Sequence, residues 1–163
     1  MTVLLLGYGN LDRQDDGVAW HILGELLVKY GHPYPDSIDI DTFDVKNDIH
    51  FFYQLQLLPE IAEELSRYDR AAFIDAHTGA IPEDIDVNRA SPEFQSSPLT
   101  HHLTVNSLLF FAQSINIKVP DSILVSVRGY EFKFTQELSP RTRALVPVAA
   151  NRIQKWLFMN ELE

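Results

Sequence analysis

Cysteine is absent from the 163-residue chain, which removes thiolate zinc sites, iron-sulfur clusters and cysteine nucleophiles from consideration. Positive charge is scarce as well, with 13 Lys and Arg against 23 Asp and Glu and a formal net charge of −10. Nucleic acid and anionic membrane both attract through positive fields, so no unaided binding to either is expected. Long apolar runs are missing. The opening Met1-Thr2-Val3-Leu4-Leu5-Leu6-Gly7 has no basic flank, and its apolar stretch is too short for a signal-peptide core or a membrane span. There is no G-x-S-x-G elbow and no H-E-x-x-H pair, so the common serine-hydrolase and zincin chemistries are unsupported.

What is present reads as an ordinary globular chain, 45% hydrophobic and 22% charged, of a length that suits one domain over residues 1–163. No repeat, low-complexity tract or linker interrupts it. A cytoplasmic, monomeric protein is expected. With no thiols, six histidines and the carboxylates are the remaining strong metal ligands. A protein, peptide, small molecule or cation is therefore the expected partner.

Val3 to Leu6 is continuously apolar and ends in Gly7, the pattern of a central strand covered on both faces. Val18, Ile22, Leu23, Leu26, Leu27 and Tyr30 then follow helical spacing, with Asp15 and Asp16 placed to cap that helix and favour its dipole. Alternation at Ile38, Ile40 and Thr42 predicts a second strand, and Pro59 to Tyr68 a helix that turns Ile61, Ala62 and Leu65 inward. Ala71 to Ile74 reads as a short strand ending at Asp75, and Ile85 to Val87 as a weaker one. A polar loop from Ser91 to Thr100 leads to a helix over Leu103 to Ile115, with Leu108, Phe111, Ala112 and Ile115 on one face. Ile123 to Val127 is a β-branched strand. Ser139 and Pro140 suit the cap and first position of a last helix running toward Phe158, which Pro147 should kink or start late. Strands alternating with helices predict a three-layer α/β sandwich around a twisted, mostly parallel sheet of about five strands.

Ligands of such folds gather beyond the carboxyl ends of the strands. Residues 7 to 17, Gly-Tyr-Gly-Asn-Leu-Asp-Arg-Gln-Asp-Asp-Gly, follow the first strand directly, so Gly7, Gly9 and Asn10 form a loop that presents a ligand. Gly7 and Gly9 begin a dinucleotide fingerprint, but Asp12 stands where its third glycine belongs. Asp12, Asp15 and Asp16 also put negative charge where a pyrophosphate needs donors. A cation suits the loop better. Asp16 and the strand-end Asp75 can meet in one crevice, and His101 or His102, opening the helix after the polar loop, can reach the same edge. Two carboxylates and one imidazole make a site for a divalent transition metal. Each residue also has a plainer role: Asp15 or Asp16 as a helix cap, Asp75 as a turn residue, the adjacent histidines as solvated. His77 could support the site from behind, although Gly79 argues for a turn there. His21, His32 and His50 are read as structural or surface residues.

The loop Gly7-Tyr8-Gly9-Asn10 with Asp15-Asp16-Gly17, the strand end Phe73-Ile74-Asp75-Ala76 and the segment His101-His102-Leu103 together resemble the hydrogenase maturation endopeptidases. Gln54-Leu55, Leu58-Pro59-Glu60 and Leu138-Ser139-Pro140 extend the resemblance over most of the chain in order and spacing. It implies a phosphorylase/hydrolase-like sandwich. It also implies removal of a C-terminal extension from the large-subunit precursor of a nickel-iron hydrogenase after nickel insertion. The nickel would arrive with the precursor, other divalent metals being able to substitute, and its contacts would map to Asp16, Asp75 and His101, with His102 the competitor. Ala19 and Thr104-Val105 depart from the family pattern without removing a proposed ligand. No nucleophile is identified. A noncatalytic chaperone-like module that checks nickel loading is the alternative.

Overall fold

The computed structural model describes residues 1–94 and 103–162. The candidates His101 and His102 and the last part of the polar loop, residues 95–100, lie outside the described residues.

Strand β1 (Val3–Tyr8) divides two cores. Val3 and Leu5 pack with helices α1 (Val18–Lys29) and α4 (Pro140–Met159), whereas Leu4 and Leu6 pack with α2 (Ile61–Glu64) and α3 (Val105–Ser114). A strand covered on both faces needs an apolar residue at each position, so Val3-Leu4-Leu5-Leu6 shows no alternation. The other strands are β2 (Asp41–Asp44), β3 (Ile49–Gln54), β4 (Arg70–His77), β5 (Ile85–Ala90) and β6 (Asp121–Arg128). Their order is β2-β3-β1-β4-β6-β5. β3, β1, β4 and β6 run parallel, and the two edge strands are antiparallel to their neighbours. The expected α/β sandwich with a mostly parallel sheet is therefore observed, with six strands in place of about five.

From β1 the chain first fills one side of the sheet with β2 and β3, then crosses to β4 on the other side. The β1/β4 boundary is thus the topological switch point at which an α/β sheet opens a crevice. Register decides what faces it. Tyr8 pairs with Gln54, Asp75 with Ser126, and Ser126 with Asp86, while Tyr8 lies one residue beyond the Gly7–Ile74 pair. A polar row of five side chains therefore crosses the sheet on the α2/α3 side, one level above the apolar row of Leu6, Phe73 and Leu124.

Several elements differ from expectation. β3 is an additional strand whose Ile49, Phe51 and Tyr53 are buried while His50, Phe52 and Gln54 are half-buried. β2 lies later than Ile38 to Thr42: Ile38 is exposed and Ile40 buried just ahead of the strand. The helix at 59–68 is a single turn, α2, continued by a 3₁₀ turn at Leu65–Arg67, with Ile61, Ala62 and Leu65 inward as expected. β4 does not stop at Asp75 but continues to His77. On α3 the inward stripe is Val105, Leu108, Leu109 and Ala112, while Phe111 and Ile115 face solvent. The two stripes have the same spacing three residues apart, so periodicity alone leaves the phase open. Helix α4 starts at the expected Ser139 cap and runs through Pro147, which sits on its exposed side. Among the described residues no helix is long and apolar enough to cross a membrane.

Candidate functional site

The loop after β1 is shaped by its own backbone. Gly9 has φ +144°, and a Cβ there would strike the Asp16 carbonyl oxygen, so glycine is required on both counts. Gly7 lets α1 close onto β1, since a Cβ on it would lie 3.0 Å from Ala19 Cβ. Asn10 ties the turn: its Oδ1 accepts from Asp12 N at 3.0 Å and its carbonyl from Arg13 N at 3.0 Å. Its own N–H donates to Asp16 Oδ2 at 2.8 Å. From β3, the Tyr53 hydroxyl donates to the Gly9 carbonyl at 2.5 Å. Its pKa is raised, by burial first and then by the nearby Asp16 and Asp12. Gln14, at φ +50°, joins the loop to the 129–138 segment through Gln14 N to Thr135 O and Lys133 N to Gln14 Oε1.

Asp16 and Asp75 reach the same cleft, of about 1060 Å³, which Tyr8, Asn10 and Arg13 also border. Leu57, Leu58 and Leu124 form apolar wall, and Leu103 and Thr104, next in sequence after the histidine pair, stand on its rim. Asp75 accepts from the Tyr8 hydroxyl at 3.0 Å on Oδ2 and from the Ser126 hydroxyl at 2.9 Å on Oδ1. Burial pushes its carboxyl up to about 6, against the lowering effect of those two donors and with a further push from Asp16. Tyr8 in turn is held well above the usual phenol value, by burial and by Asp75, and remains a donor at neutral pH.

Two expectations are corrected here. Asp15 does not cap α1, whose cap is Gly17 with no side-chain bond. It is fully buried and serves the far end of the chain. Oδ1 accepts from Ser139 N at 2.8 Å, and Oδ2 from Tyr130 N at 2.8 Å, Glu131 N at 2.9 Å and the Ser139 hydroxyl at 2.6 Å. The Thr142 hydroxyl lies 2.9 Å from Asp15 Oδ2 and from Arg128 O, so its one proton serves either. Burial alone would raise the Asp15 pKa, but the bonds from Ser139, Glu131 and Tyr130 outweigh it and hold the carboxyl below its ordinary value. The start of α4 adds its dipole to that effect. Second, His77 has both ring nitrogens engaged, Nδ1 by Gly79 N–H at 3.2 Å and Nε2 with the Glu83 carbonyl at 2.9 Å. That fixes it as a strand-end anchor rather than a reserve ligand. His50 holds the structural role expected of it, bridging the Tyr68 hydroxyl and Asp41 across the sheet edge.

The sheet end therefore supplies two oxygen donors, Asp16 and Asp75. Among the described residues no third His, Asp or Glu joins them in a metal-binding group. Sequence reading missed Tyr8 and Ser126, which hold Asp75; the signal is their equal register on either side of it, visible only once the strands are paired.

No protein-family model matches the chain, and no curated protein matches it. Solved structures do. The hydrogenase maturating endopeptidase HybD of E. coli superposes with a TM-score of 0.71 at 18% identity, over 96% of this chain and 92% of that one. An endopeptidase from Escherichia coli gives 0.72 at 17%, covering 100% and 96%. The hydrogenase 2 maturation peptidase of a Thaumarchaeota archaeon gives 0.62 at 20%, over the whole of both chains. The chain has the hydrogenase maturation protease fold. The likeness runs end to end, so the cleft lies within a scaffold that these enzymes share throughout.

Proposed function

We propose that the chain is a cytoplasmic, monomeric endopeptidase. On this reading it removes the C-terminal extension of a nickel-iron hydrogenase large-subunit precursor after nickel insertion. The observation that carries the reading is the meeting of Asp16 and Asp75, 59 positions apart in the sequence, in one cleft at the switch point of that fold. Nickel belongs to the substrate here. Asp16 and Asp75 present carboxylate oxygens to it, with His101 as the third contact and His102 as its competitor. Docking the loaded precursor would then complete a site that this chain holds only in part, which makes cleavage report that nickel is in place.

Peptide hydrolysis adds water across the scissile C–N bond, and the proton released by the attacking water has to be held and passed to the leaving amine. A carboxylate beside the bound nickel is able to take that proton, and the metal would lower the pKa of a water held next to it. The apolar wall of Leu57, Leu58 and Leu124 offers an extended tail a surface to lie along. Purified protein mixed with nickel-loaded precursor should shorten it, and with nickel-free precursor should not. Equal cleavage of both would overturn nickel recognition. Binding of the loaded precursor without shortening would instead identify a nickel-checking chaperone.

A further inference from the structure

Asp75 lies inside β4, where its backbone neighbours are engaged in the ladders to β1 and β6. The ladder to β1 stops at Ile74, and the carboxylate one residue on is oriented by side chains on the same row of the adjacent strands. That row provides one hydroxyl from each side: Tyr8 of β1 on Oδ2 and Ser126 of β6 on Oδ1. Each oxygen thereby uses one acceptor position and keeps another. Rotation about the Cβ–Cγ bond would break both bonds at once.

Ser126 is buried, away from solvent, and Tyr8 borders the cleft itself. Among the described residues Asp16 has no comparable clamp, since a single N–H from Asn10 contacts its carboxylate. We propose that Tyr8 and Ser126 are positioning residues which fix the plane of the Asp75 carboxylate for the reaction, an inference that rests on the endopeptidase reading. They act on Asp75 and not on the tail, so their loss should slow turnover while leaving the binding of the precursor along the apolar wall unchanged.

The test uses the full chain with nickel-loaded precursor and compares Tyr8→Phe, Ser126→Ala, the double variant and Ser126→Thr. Tyr8→Phe and Ser126→Ala should each lower kcat about tenfold with KM within about twofold, and the double variant about a hundredfold, the scale of hydrogen bonds to a charged group. Ser126→Thr, which keeps the hydroxyl, should recover most of the loss. Thermal unfolding of each variant shows whether it is folded. Unchanged kcat in folded single variants, or a rise in KM alone, would overturn the positioning role while leaving the endopeptidase reading intact. A wild-type protein that leaves the loaded precursor uncut overturns both.

Discussion

Around Asp15 the carboxylate is sealed inside the protein, with three backbone N–H groups and the Ser139 hydroxyl directed at it. Across the loop, from the described residues, Asp16 accepts one bond and Asp75 two, and both stand at the cleft. The donors also differ in kind. Those on Asp15 are mostly backbone N–H groups, which cannot reverse direction, whereas those on Asp75 are hydroxyls, which can accept as readily as donate. Two adjacent aspartates are thus divided between the interior and the cleft by what surrounds them. A carboxylate closed off from the cleft cannot serve a ligand there.

Replacement of aspartate by asparagine, equal in size but uncharged and carrying two N–H groups, probes this division directly. The largest effect should be on activity: Asp75→Asn and Asp16→Asn each reduce precursor processing on the order of a thousandfold, the scale of losing an electrostatic or acid-base group. A rate within tenfold of wild type, measured by the mobility shift of the precursor, would remove that residue from the site. Next comes Asp15→Asn, which turns an N–H toward fixed backbone donors and should cost about 3 kcal/mol in denaturant unfolding. Its pKa is lowered on folding, so the stability that Asp15 contributes is complete above the ordinary value of about 3.9 and is lost as pH falls through the lower folded value. The cost of Asp15→Asn should therefore shrink on the acid side.

The smallest effect has the opposite sign. Asp75 has a folded pKa raised to about 6, so the unfolded chain ionises first. The resulting destabilisation grows as pH rises from about 4 and is full above the folded value. Asp75→Asn removes it, and Tyr8 and Ser126 can reorient their hydroxyls toward the amide. That variant should gain stability at pH 7 and nothing near pH 3. Equal losses of stability in Asp15→Asn and Asp75→Asn would erase the distinction between the two regions.

Legibility in the sequence followed the range of the interactions. The apolar run of β1, the glycine loop and the Ser139-Pro140 start of α4 are each specified by a few neighbouring residues, and each is found where expected. β3 is less apparent because Phe52 and His50 on its second face are themselves aromatic and half-buried, which blurs the alternation that marks a strand. Asp15 satisfies the local pattern of a cap on α1, and the partner that claims it lies 124 residues away at Ser139. For the site, the carboxyl ends of β1 and β4 were enough to bring Asp16 and Asp75 together. Their hydroxyl supports required the strand order.

The reach of Asp15 also bears on how the protein is made. During synthesis β1 and the glycine loop emerge first, yet the donors that neutralise Asp15 span residues 130 to 139. Contacts of such sequence separation are slow to close. Until the last quarter of the chain has left the ribosome, the loop carries an uncompensated charge that opposes burial. The cleft therefore assembles as a late event of folding, and a nascent chain halted before Ser139 should present its first strand without a finished cleft edge.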